Sequence, residues 1–226
     1  NRFDVWQHGP YLLVSERVKP DGKSIDKREI EVRDVTSGTK LWSRKFSGEL
    51  PNWYYDVSGD SLSFVWELDS SGAREAIKND PVVRTQVEAL RKKEGYFLIE
   101  ILDHRTGNRR FSILVDSGQG SFGIRDVDSV GNTVMIADTQ DRLVLFDSKG
   151  TRKGRVFATR GVLDPGGHWL LAETEPGRVG LISLRNMQQK QTFTFGNKIA
   201  YMAFSNDSKR LIVITTDQTF YTFQLS

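Results

Sequence analysis

The residues able to do chemistry are few and scattered. Three histidines, His8, His104 and His168, lie tens of residues apart, with no His-x-x-x-His or Glu-x-x-His spacing to close a metal shell. There is no cysteine, so no disulfide, thiolate metal site or cysteine nucleophile exists. A Gly-x-Ser-x-Gly elbow and a Walker loop are both absent. Residues 118–123, Gly-Gln-Gly-Ser-Phe-Gly, match a dinucleotide fingerprint in letters only. The fingerprint needs a helix next and a strand pattern follows, so the segment reads as a loop between repeats. Asp126-Val127-Asp128 begins a calcium loop and stops. What remains are carboxylates near the first strands of successive repeats: Asp4, Asp56 and Asp126, with Asp164 as a further one. They are candidate acids around a central channel. A hydrolase of glycosidase type would need two of them about 5 to 10 Å apart. No catalytic residue, metal ligand or cofactor is assigned.

Composition bounds the rest. The chain has 226 residues, 38% of them hydrophobic and 27% charged, which is a folded composition with room for a substantial core. No run approaches the roughly 20 apolar residues that span a bilayer. The net charge is +3, a mild excess that demands no nucleic acid. The Lys/Arg pairs Arg109-Arg110 and Arg152-Lys153 fall in different repeats and are balanced by acids. The first residue is Asn, so the chain reads as a trimmed domain or processed product. Its compartment stays open between the cytoplasm and the periplasm or exterior.

Two marks recur and reveal a repeat. The first is an apolar run ending in Asp, then Gly three or four residues later, then a second apolar run. It appears at Asp34 with Gly38, Asp103 with Gly107 and Asp147 with Gly150. Asp bonds nearby amides and Gly supplies positive φ, so each reads as strand, tight turn, strand. The second is a polar turn before a bulky strand, as in 164–170 and 205–211. The first buried positions of three such strands, Val134, Leu170 and Leu211, are 36 and 41 residues apart. A period near 40 with four short strands per unit is the pattern of propeller blades. Five copies fit one domain over residues 1–226, at about 1–48, 49–116, 117–158, 159–196 and 197–226. The last stops after its third strand, leaving an open sheet edge or a ring completed from elsewhere.

The turn Ser205-Asn206-Asp207-Ser208-Lys209-Arg210-Leu211 resembles the Ser-Pro-Asp-Gly-Lys-x-Leu turn of WD-repeat and quinoprotein-like propellers. Asp34 to Trp42, Asp-Val-Thr-Ser-Gly-Thr-Lys-Leu-Trp, resembles the Asp-x-x-x-Gly-x-x-Leu-Trp of quinoprotein-type blades. The likeness covers nearly the whole chain. It implies an all-β propeller of about five four-stranded blades, either a closed ring or part of a larger one. It implies little about activity, because such rings host scaffolds and enzymes alike.

One segment breaks the strand pattern. Residues 74–94 read as a helical insertion in the second copy. Asp80-Pro81 supplies an N-cap and a first-turn proline. Val83, Val87 and Leu90 form an apolar stripe, and Arg91, Lys92 and Lys93 close a helix over 81–94. If strands alternate up and down, the 73–95 insert, the Lys19 to Lys27 loop and the Ser47 to Trp53 connection share one rim. Trp53 and Tyr54 are then aromatic anchors, although Trp53 and Tyr55 also fit as blade core, as do Trp42, Trp66 and Trp169. The partner-binding candidates are Trp53, Tyr54, Arg84, Arg91, Lys92, Lys93 and Lys23. The functional expectation is a non-enzymatic scaffold that binds a protein or peptide through this rim. The alternatives are a hydrolase with acids at the ring mouth and a sensor domain of a larger bacterial-type protein.

Overall fold

The computed structural model describes residues 2–8, 11–18, 27–55, 61–92, 94–117 and 123–225. The side chains of residues 2–4, 8, 16–18, 27 and 28 lie outside the description. The chain divides into two compact units, residues 1–55 with 62–119, and residues 56–61 with 120–226.

In the first unit, β1 (Arg2–His8), β2 (Tyr11–Val18), β3 (Lys27–Asp34) and β4 (Lys40–Phe46) form one antiparallel sheet in chain order. β5 (Asn52–Tyr55), β6 (Ser61–Glu67), β7 (Tyr96–Asp103) and β8 (Arg109–Asp116) form the next, with α1 (Ser71–Lys78) and α2 (Pro81–Glu88) between β6 and β7. The second unit repeats the meander with β9 (Ile124–Val130), β10 (Thr133–Asp138), β11 (Arg142–Asp147) and β12 (Arg152–Phe157). Then come β13 (Arg160–Leu163), β14 (Trp169–Glu175), β15 (Arg178–Ser183) and β16 (Gln189–Thr194). The last sheet holds three strands, β17 (Ile199–Phe204), β18 (Arg210–Thr215) and β19 (Phe220–Gln224). The fifth copy ends on its third strand, as read from the sequence.

The Asp-Gly turns form for the anticipated reason. Asp34 Oδ1 accepts from the Ser37 amide at 2.8 Å, Asp103 Oδ1 from the Thr106 amide at 2.9 Å, and Asp147 Oδ1 from the Thr151 amide at 2.8 Å. Gly38, Gly107 and Gly150 take φ of 67°, 70° and 81°. Gly107 is doubly constrained, since a Cβ there would sit 2.6 Å from the Trp42 ring.

Packing explains why the middle strands are continuously apolar. Every residue of β10 is buried. Its Met135 and Ala137 join Leu143 and Leu145 of β11 against Leu170, Ala172 and Ile182 of the following sheet. Leu171, Val179 and Leu181 of that sheet face the other way, against Met202, Phe204, Leu211 and Val213. Each middle strand therefore serves two interfaces. β19 ends the series differently: Tyr221 and Phe223 stack inward on Phe195 and Phe193, at 5.0 and 4.7 Å, while Phe220 is 59% exposed.

The helical insert differs from its expected form. Two helices are present instead of one. α2 stops at Glu88 rather than running to residue 94, and α1 precedes it, capped by Ser70 accepting from the Ala73 amide. Small residues seat α1: Gly72, Ala73 and Ala76 are buried, and a Cβ on Gly72 would lie 2.3 Å from the Glu49 carbonyl. Asp80 caps α2 by accepting from the Val82 and Val83 amides, both at 3.1 Å. The stripe holds, with Val83 and Val87 buried and Leu90 packed on the same core as Trp66 and Leu68.

A buried carboxylate ties this unit together. The Glu100 side chain on β7 is 2% exposed and meets Arg44 of β4 at 2.6 Å and Arg109 of β8 at 3.5 Å. Arg109 also reaches Asp80 at 3.3 Å and donates to the Asn79 carbonyl at 3.0 Å, which anchors the helix junction. The Arg44 guanidinium lies 5.2 Å from the Phe46 ring centroid and 5.8 Å from those of Phe64 and Trp66.

Truncating Arg44 to Ala will strand the Glu100 carboxylate and cost about 3 kcal/mol, the lower end for breaking a buried pair because Arg109 remains. Replacing both residues by Met and Leu will recover most of that loss in urea melts. A second prediction concerns acid. Hydrogen bonds hold Asp34, Asp147, Asp207 and Asp217 below the ordinary value of 3.8, through the amides of Ser37 and Thr151 and the hydroxyls of Ser205 and Thr215 respectively. Burial alone would raise Asp103, but Arg110 and Thr106 outweigh it and lower it. Groups depressed on folding stabilise fully above their unfolded pKa and stop doing so as pH falls through the folded value. The urea midpoint should therefore hold from neutrality to about pH 5 and drop below about pH 4. Asp103→Asn with Asp147→Asn should flatten that drop.

Candidate functional site

In the first unit, Trp53 lies on β5, the first strand of its sheet, half-buried and packed on the core, with Tyr54 and Tyr55 half-buried beside it. Its ring meets Trp6 of β1 edge-to-face at 4.7 Å. Trp6 is 42% exposed and its neighbour Val5 58%. Two first strands thus present a partly exposed indole pair. Trp53 is both core and surface. Its partner Trp6 stands one repeat earlier, also on a first strand, which makes a Trp on two successive first strands the signal that could have found the pair. The other tryptophans are interior. Trp66 is buried, Trp42 donates Nε1–H to the His104 carbonyl at 2.7 Å, and Trp169 packs on the cluster around Phe204.

The basic candidates stand elsewhere. Arg84 is exposed on α2, and Arg91 and Lys92 are exposed beyond its end. α2 packs against β8, the last strand of the sheet whose first strand carries Trp53. Three inter-strand steps of about 4.8 Å separate β5 from β8, so the structure does not bring the indole pair and Arg84 into one cluster. Lys93 and Lys23 lie outside the described residues.

Of the channel acids, Asp56 and the side chain of Asp4 lie outside the described residues. Asp126 is described. It lines a pocket of about 200 Å³ in the second unit, formed along the first strands β9, β13 and β17. Its charged companions there are Arg125 and Arg160, with no second carboxylate among the lining residues. Arg125 pairs with Asp141 at 2.9 Å and donates to the Thr159 carbonyl at the entry to the next sheet. Arg160 pairs with Glu173 at 2.9 Å and donates to the Ile199 and Ala200 carbonyls of the sheet after that. Each guanidinium therefore links one sheet's first strand to its neighbour. Neither arginine is singled out by the sequence analysis, and the signal that could have found them is an Arg at or near the start of two successive first strands.

The histidines are dispersed. His104 is buried between the Tyr11 and Tyr55 rings, at 4.2 and 6.4 Å. Burial, with Tyr11 beside it, pushes the Tyr55 phenol well above its ordinary value. The His168 side chain is 74% exposed, its Nδ1 3.5 Å from Asp164. The side chain of His8 is outside the description. Among the described residues, no group of three or more His, Asp or Glu is placed to hold a metal ion, and no helix is long and apolar enough to cross a membrane.

No protein-family model matches the chain, and no curated protein matches it. Solved structures do. The Dos1 propeller superposes with a TM-score of 0.51 at 14% identity, covering 96% of this chain and 51% of that one. The Cps50 (Swd1) β-propeller domain of Myceliophteria thermophila gives 0.51 at 13%, covering 98% and 67%. A chain of the mitotic checkpoint complex gives 0.53 at 12%, covering 99% and 62%. This chain thus spans about half to two-thirds of those chains. At such identities the likeness speaks for fold alone. The described residues form five consecutive antiparallel sheets, and read with these neighbours they make this a β-propeller fold.

Proposed function

We propose that the chain is a non-enzymatic binding module that engages another protein or a peptide through its loop rim, with Trp53 and Tyr54 as anchors. The observation that supports this most is the Trp6–Trp53 pair, at 4.7 Å. A half-exposed indole braced edge-to-face against a second one is a rigid apolar surface that loses little entropy on contact. Exposed Val5 widens it. Arg84, Arg91, Lys92, Lys93 and Lys23 are proposed as outlying basic contacts, suited to a partner with acidic flanks. The hydrolase alternative retains one point in its favour, the place of Asp126 in a first-strand pocket. There it lies with two guanidinium groups, whereas glycoside hydrolysis needs a second carboxylate about 5 to 10 Å away.

The test is affinity capture from the source cell followed by quantitative mass spectrometry. Wild type is compared with Trp6→Ala, Tyr54→Ser and a control, Phe157→Ser, which removes a similarly exposed apolar side chain on β12. A protein retained by wild type and the control should fall at least tenfold with Trp6→Ala, with the fold retained by circular dichroism, as removal of an interface anchor requires. Equal retention by all four proteins would overturn the rim assignment.

A further inference from the structure

The first-strand pocket of the second unit has a chemistry of its own. Its size of about 200 Å³ falls below the roughly 300–1,000 Å³ of small-molecule sites and matches one large side chain. Its floor is apolar, with Met135 and Met202 only 2% and 5% exposed. Tyr201, 47% exposed, stands at its edge. Three charged side chains stand at the same pocket: Arg125 and Arg160, 41% and 47% exposed, and the exposed Asp126.

What those arginines offer is set by what they already hold. Arg125 spends Nη1 on Asp141 and Nη2 on the Thr159 carbonyl. Arg160 spends Nε on Glu173, Nη1 on Ala200 and Nη2 on Ile199. A guanidinium donates only within its plane, and in both arginines that plane already serves an ion pair and a backbone carbonyl. The faces of the two planes are not used by these bonds. Guanidinium faces and thioether sulfurs both attract aromatic rings, the first through cation–π contact and the second at the ring edge.

We infer that this pocket is a subsite for one aromatic side chain of a peptide, Phe, Tyr or Trp, held by the Arg125 and Arg160 faces, Tyr201 and the two methionine thioethers. It rests on the binding-module reading only for the source of the ring. Its test uses neither Trp6 nor Tyr54, so the two can fail separately.

The chain has three methionines. Two are in the pocket, and the third, Met187, packs on the core between the third and fourth sheets. Protein labelled with 13C at the methionine methyl groups is titrated with N-acetylphenylalaninamide. N-acetylleucinamide, N-acetylargininamide and benzoate serve as comparison probes. The expected result is ring-current shifts at Met135 and Met202 but not Met187, with a dissociation constant on the order of millimolar for so small a probe. The leucine, arginine and benzoate probes should bind at least fivefold more weakly. Tyr201→Ala should weaken the phenylalanine probe several-fold with no change in the Met187 signal. No saturable shift at Met135 and Met202, or equal or tighter binding of leucine, arginine or benzoate, would overturn the assignment.

Discussion

A β-sheet buried on both faces cannot stand alone, and that constraint shapes this molecule. The strands β10, β11, β14 and β15 each carry a buried, largely apolar central run, so each sheet must find a neighbour on either side. Leu170 and Leu171 show the consequence in adjacent residues. One packs toward the preceding sheet and the other toward the following one. Repetition satisfies the requirement locally, because each new copy covers the face left open by the last. Outer strands escape it. β12 and β16 alternate or turn largely exposed and carry the Lys and Arg residues.

Apolar packing alone would let such sheets slide. Polar links fix where they sit. Arg125 and Arg160 carry their charge across to backbone carbonyls of the next first strand, and in the first unit Arg44 reaches from β4 to the buried Glu100 on β7. These links are directional where dispersion is not. They also place side-chain polarity near the first strands, so the second unit's pocket has an apolar floor and charged walls.

Much of this was legible in the residues. The Asp-Gly turns could be read because their chemistry is local, within the five residues from Asp34 to Gly38 or from Asp103 to Gly107. The three-stranded last sheet followed from counting strands after Ser205. α2 was visible in Asp80-Pro81 and in Val83, Val87 and Leu90. α1 was not, because small buried residues, Gly72, Ala73 and Ala76, seat it where a bulky periodic stripe would be expected. The end of α2 was misplaced for a tertiary reason: Leu90 packs on the core and the chain must turn to enter β7 at Tyr96. The Trp6–Trp53 pair and the arginine links join separate copies of the repeat. Periodicity reports which positions are equivalent, and it does not say which side chains of neighbouring copies reach across to one another.

Native-state hydrogen exchange tests the two-faced burial most directly, because protection tracks how much structure must open to free an amide. Amides of β10, β11, β14 and β15 should exchange slowest, at rates set by cooperative opening of the unit. Amides of β12, β16 and β19 should exchange faster through local fraying. If the outer strands were protected as well as the middle ones, or if β10 and β14 exchanged independently of each other, stacking of doubly buried sheets would not be what holds the second unit together.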